Sequence, residues 1–229
     1  MATRENIRRR AVLMGGLALP LLALPGCTGM GGFDLSEAIR RMLTLSSQRA
    51  FASLLAEDGF YSDQLARIDL PDQMGGSRAG GIVNALLSTS AVRNRLLHVL
   101  NDAAAEGAER AAPLVADAIR SFSVADALAI VRAANGDAAT QALRGQMGDA
   151  LVTAMFPEIG TALRIADDPI VGQVLRATTG IDIAGLGEHV AREAANGIYA
   201  AMGREEAAIR ADPQATGDPI IIGAFGLLR

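Results

Sequence analysis

Half of the 229 residues are hydrophobic, yet only 3% are aromatic and tryptophan is absent. An interior must therefore be filled with Ala, Leu, Ile, Val and Met. Strands favour β-branched and aromatic side chains, whereas small side chains let packed helices approach closely. No alternating strand pattern lasts long enough for a sheet, and no repeat of fixed period is visible. The length favours one domain with room for a large core. The expected fold is all-α: a single bundle of seven to nine helices over residues 34–229, with no sheet.

Start and stop signals divide this stretch. Asp34-Leu35-Ser36-Glu37 reads as a capping box, Asp34 capping and Glu37 reaching back, and opens a helix expected to stop near Gly59. Ala66 to Pro71 reads as an extended connector, and the four glycines of 75–81 as a loop. The helical pattern resumes at Ile82, breaks near Ser88 to Ser90, and gives the stripe Val92, Leu96, Leu100, Ala103. Pro113 predicts a new start or a kink. Ser123 to Asp126 starts a helix closed by Gly136, and Asp137 opens another through Leu143, Met147, Leu151 and Met155. Pro157 and Pro169 mark boundaries, with a short helix over 170–177. A last long helix runs from about Gly185 to Arg210 and buries Val190, Ala194, Ile198 and Met202. Asp212-Pro213 ends it, and the apolar tail Ile220 to Phe225 docks back on the bundle.

The first residues read as an address. Arg4, Arg8, Arg9 and Arg10 form a basic region, and Ala11 to Leu24 is an apolar run of signal-peptide length, too short for an ordinary membrane span. Leu24-Pro25-Gly26-Cys27 resembles the lipobox of bacterial lipoproteins, with Pro25 departing from the usual small residue. That resemblance implies cleavage between Gly26 and Cys27, residues 1–26 as signal peptide, and diacylglycerol on the Cys27 sulfur. Residues 27–33 then form the lipidated cysteine and a Gly-rich spacer. Arg9-Arg10 followed by apolar positions also looks like a twin-arginine export motif, so both export routes stay open. The expected location is a bacterial membrane reached through the lipid on Cys27, the periplasmic side of the outer membrane, since Thr28 and not Asp follows the cysteine.

All 21 basic residues are arginine against 25 acids. Without the four arginines and one glutamate that precede Cys27, the chain carries 17 arginines and 24 acids, a formal charge of −7. Such a balance disfavours nucleic acid as a partner. The single cysteine excludes an internal disulfide.

Asp117-Ala118-Ile119, Ser123-Val124-Ala125-Asp126-Ala127 and Asp137-Ala138-Ala139-Thr140-Gln141 occur in order and at tight spacing. They resemble the central signatures of family 4197 among the domains of unknown function, found in bacterial envelope proteins. Leu35-Ser36-Glu37, Ile181-Asp182-Ile183, Ile209-Arg210 and Asp212-Pro213 resemble its two ends. Departures fall after Asn101, where Asp102 follows, and after Gln141, where Ala142 and Leu143 replace an aromatic pair. The resemblance implies a helical envelope domain and no particular reaction.

The candidate chemistry is thin. His189 and Glu193 lie four apart, but no second histidine or cysteine stands near to complete a metal site, so they read as a polar pair. Asp167-Asp168-Pro169 lacks the spaced acids of a calcium loop. Gly75-Gly76 and Gly80-Gly81 lack the Lys and Ser/Thr of a phosphate loop. Arg204, Glu205 and Glu206 read as a solvated helix face. Asp126, Asp137 and Thr140 sit where helices begin and read first as caps; with Asn101 they are the candidate binding residues. No catalytic residue, metal or cofactor is assigned. The expected function is a non-catalytic envelope domain that binds another envelope protein, with an apolar-ligand carrier and a hydrolase near Asn101, Asp126 and Asp137 as alternatives.

Overall fold

The computed structural model describes residues 34–70, 89–165 and 183–226. The described chain is all-α. Its helices are α1 (Leu35–Leu54), α2 (Gly59–Ser62), α3 (Ser90–Arg120), α4 (Ala127–Arg132), α5 (Ala138–Met147), α6 (Ala150–Ile165), α7 (Ile183–Ala211) and α8 (Pro219–Gly226), with a 3-10 turn at Pro213–Thr216 between the last two. Expectations placed on Gly26, Cys27, the spacer, Pro71 to Ser88 and Pro169 to Asp182 lie outside the described residues.

Four long helices form the bundle. α3 packs chiefly on α6, α1 on α7, and α7 also touches α3, α5 and α6. The stripe of α7 is the one expected: Val190, Ala194, Ile198 and Met202 are fully buried. On α3, Leu96 and Leu100 point inward with Ala103, Ala104, Ala108 and Ala111. Alanine along that face replaces the aromatic bulk the chain lacks. Facing it on α6 are Leu151, Met155, Ile159 and Leu163. Burying each such large side chain contributes about 1.5–3 kcal/mol. The tail behaves as expected, with Ile221, Ala224 and Phe225 of α8 buried and α8 packed on α1.

Several boundaries differ from the sequence expectation. Asp34 caps α1, accepting from the N–H groups of Ser36 and Glu37, but the Glu37 carboxylate bonds Arg41 instead of reaching back. α1 ends at Leu54, not near Gly59. α3 continues through Pro113, and α6 through Pro157, so neither proline starts a new helix. Both prolines are exposed, and the buried residues on either side keep each helix continuous. α4 closes at Arg132, before Gly136. The helix expected from Asp137 through Met155 is two, separated at Gly148 with φ 52°.

The connector expected to be extended from Ala66 begins in a turn at 64–66, where the Arg67 N–H donates to the Asp63 carbonyl at 2.8 Å. Residues 67–70 follow without regular secondary structure, and the segment is held from both sides. Ile68 is fully buried, and its N–H and C=O both pair with the Asn101 side chain, at 2.9 and 3.1 Å. Asp63 accepts from the N–H groups of Leu65 and Ala66 and pairs with Arg204 on α7, whose Nη1 lies 3.0 Å from Oδ1. Burial pushes the Asp63 carboxyl up, but the bonds from Arg204, Leu65 and Ala66 outweigh it and hold it below its ordinary value.

Two outcomes are expected. A Cβ on Gly59 would lie 2.4 Å from the carbonyl oxygens of both Ser53 and Leu54. Gly59→Ala should therefore cost at least about 1–3 kcal/mol in urea denaturation. The stability that Asp63 contributes is present above the ordinary carboxylate pKa, near about 4, and is lost as pH falls through its lowered folded value. The destabilisation from Asp63→Asn should thus be largest at neutral pH and shrink as pH falls below the ordinary carboxylate range, read from paired denaturation curves.

Candidate functional site

Two polar assemblies stand out, one closed and one open. The closed one centres on Glu206, expected to be solvated and found fully buried. Four residues past Met202, it continues the buried stripe of α7. Its carboxylate accepts from the N–H groups of Ala139 and Thr140 at 2.9 and 2.7 Å, and from the Thr140 hydroxyl at 2.7 Å. These are N–H groups of the first turn of α5, which have no partner within the helix. Arg210, one turn on, donates to the same carboxylate at 2.9 Å and to the carbonyls of Ile130 and Val131 at the end of α4. Its guanidinium also lies 5.0 Å over the Phe225 ring of α8. An anion meets a helix start and a cation meets a helix end, the favourable sense of both dipoles.

Asp137 occupies the cap position of α5 but makes no cap hydrogen bond. Its carboxylate instead accepts from Gln141 at 2.9 Å and Asn135 at 3.2 Å. Close approach allows the substitution of Glu206 for a local cap, since a Cβ on Gly203 would come within 3.0 Å of the Asp137 Cβ. Asp126 caps α4 by accepting from the Ala129 N–H at 2.9 Å. Asn101, on α3, is 2% exposed, and its other bond goes to the Leu97 carbonyl at 2.7 Å. Asp137 and Thr140 share the start of α5; Asn101 serves the connector and Asp126 serves α4, and no hydrogen bond among the described residues joins the four.

The histidines stand apart from one another. His98 stacks on Tyr61 with centroids 3.8 Å apart, and its Nδ1 lies 3.3 Å from Asp58, which holds a left-handed backbone at φ 54°. Burial pushes the neighbouring Asp102 carboxyl up. His189 reaches the Asp69 carbonyl at 3.4 Å. Among the described residues, no group of three His, Cys, Asp or Glu is placed to hold a metal ion.

The open assembly is a groove of about 520 Å³ between α5, α6 and α7. Arg144, Arg192, Asn196 and Gln141 line it with the apolar Val152 and the Tyr199 ring, and Asp149 also borders it. Arg144 is held by neutral groups: its Nη2 donates to Asn196 Oδ1 at 2.7 Å, and its guanidinium lies 5.3 Å over the Tyr199 ring. Arg192 pairs with Glu188 at 2.6 Å. Tyr199 is 4% exposed, and its hydroxyl donates to the Met147 sulfur at 3.5 Å, a weak acceptor. Burial pushes its pKa up, with Arg144 pulling the other way. The groove is rich in donors. Sequence reasoning passed over it because its arginines lie 48 residues apart on different helices. The only local cue is Gly145 and Gly148 flanking an exposed helix end.

A family model described as a protein of unknown function (DUF4197) matches residues 30–226. No curated protein and no solved structure matches the chain.

The closed assembly makes a clear demand on stability. Glu206→Gln removes the charge and leaves Arg210 in a nearly dry site, so it should cost about 3 kcal/mol. Thr140→Val removes one neutral donor and should cost roughly 1 kcal/mol. Thermal and urea unfolding of both variants would measure these costs; equal, small losses would mean that the pair does not anchor α5.

Proposed function

The chain belongs to this family, DUF4197, and on that footing we propose that it is an exported, membrane-tethered binding domain of the bacterial envelope. The tether is lipid on Cys27, with residues 1–26 removed before it. The leader supports this reading: basic residues, an apolar stretch of signal length, then Leu24-Pro25-Gly26-Cys27. Two acyl chains make a stable anchor, at about 0.8 kcal/mol per buried CH2.

The observation that carries the binding part is the open groove between α5, α6 and α7. It presents guanidinium, amide and phenol donors around a partly apolar floor, the usual make-up of a site that orients a ligand. Its lining favours a polar ligand over the apolar cargo that the composition also allows. Arg144 and Tyr199 serve to hold such a ligand, and the role proposed for the domain is capture without chemical change. Asn101, Asp126 and Thr140 support the scaffold around it, each through bonds to backbone or to Glu206.

Cells fed a clickable fatty acid should label the wild-type chain and leave Cys27→Ala unlabelled. Equal labelling of the two would overturn the lipid tether. The purified chain should turn over none of a panel of ester, glycan and peptide substrates. Turnover abolished by Arg144→Gln would make the groove an active site instead.

A further inference from the structure

We propose that the groove is an oxyanion site, which seats a small anionic ligand through a carboxylate or phosphate group on the guanidinium edge of Arg144. This rests on the binding reading above and specifies its ligand.

The first argument is charge. The chain is acidic overall, with a formal charge of −4, yet two arginines line one groove. They differ in state. Arg192 already has a carboxylate, Glu188, at 2.6 Å. Arg144 has an amide oxygen and an aromatic face, both neutral, so its positive charge is not met by an ion pair among the described residues.

The second argument is geometry. The bond to Asn196 takes one of the five guanidinium N–H groups. Enough remain for a two-pronged contact with a planar carboxylate or a phosphate, the strongest hydrogen-bonding mode open to arginine. Asn196 and Tyr199 hold the guanidinium in place beforehand, which lowers the entropy lost when a ligand docks.

The third argument is the unused capacity of Tyr199. A buried hydroxyl that donates only to a thioether 3.5 Å away exchanges a poor acceptor for a good one if an oxyanion enters. At the rim, a Cβ built on Gly145 or Gly148 meets nothing within 4 Å, so access to the backbone there is open. Asp149 also borders the groove, and its negative charge disfavours a multiply charged anion that fills the whole space. A single anionic head on a neutral or cationic body fits this lining better.

The tyrosine content provides the test. The chain has two tyrosines and no tryptophan, so Tyr61→Phe leaves Tyr199 as the sole tyrosine reporter. The full chain carrying Tyr61→Phe, purified in detergent, is titrated with succinate, with inorganic phosphate, and with uncharged succinamide. A saturable change in tyrosine fluorescence is expected with at least one anion below about 50 mM, a range suited to fragments this small. Succinate alone points to a carboxylate ligand, phosphate alone to a phosphorylated one. Arg144→Gln should weaken the response at least roughly tenfold, Arg144→Lys less, because lysine keeps the charge but loses the fork. Circular dichroism checks that the variants fold. Equal binding of succinamide would overturn the oxyanion assignment and leave the groove as a binding site. Anion binding that persists unchanged in Arg144→Gln would overturn it too, as would no saturation by either anion. Native mass spectrometry of the full chain taken from membranes separates the two readings: a neutral molecule bound there removes only the anion.

Discussion

One buried ion pair, Glu206 with Arg210, fixes how α4 and α5 sit on α7. Placing two charges in a dry interior costs several kcal/mol per ion, and attraction between them does not by itself repay that. Here the remaining bonding capacity is filled from helix ends: two N–H groups and a hydroxyl at the start of α5 on the anion, two carbonyls at the end of α4 on the cation. The two N–H groups and the Val131 carbonyl lie in end turns, where a short helix leaves such groups without an internal partner. The pair and the helix ends therefore need one another. The contact is possible because small residues flank Glu206: Gly203 lies against Asp137, and Ala207 against Gly136.

The groove follows from that docking. Arg144 lies one helical turn beyond Thr140 on α5, and Asn196 and Tyr199 lie on α7. The distance between α5 and α7 is set at the Glu206 end, so the 2.7 Å bond from Arg144 to Asn196 is a consequence of the same arrangement. A closed cluster thus positions an open one, and the residues singled out from the sequence at 137–141 belong to the scaffold side of that relation. Its two neutral contacts to Arg144 keep a cationic edge in a chain that is otherwise acidic.

Much of the architecture was legible because the long helices obey simple periodicity. The stripe of α7 and the Leu96–Leu100–Ala103 face of α3 are each a run of apolar residues at helical spacing, and both are buried. Proline was the misleading signal, since Pro113 and Pro157 fall on solvent-facing positions where a helix survives them. Glu206 was misread for a local reason. Arg204 beside it is exposed and Glu205 partly so, and two solvated neighbours hide a third charge that turns inward. The cue was its register with Ile198 and Met202, which outweighs its charge. The groove was not legible beyond the glycine cue at Gly145 and Gly148, because α7, which supplies Arg192, Asn196 and Tyr199, lies far in sequence from the consecutive α5 and α6.

The Asn101 clamp on Ile68 bears on how this chain tolerates change. The amide grips the N–H and the C=O of one residue and is blind to the side chain between them. Drift in the identity of connector residues leaves that grip intact, provided the buried position stays apolar. A change in length does not. One residue inserted between the Asp63 turn and Ile68 would bring another residue's N–H and C=O to the amide and take the buried Ile68 out of register. The connector is therefore permissive in composition and strict in count, a ruler laid between α2 and the centre of α3.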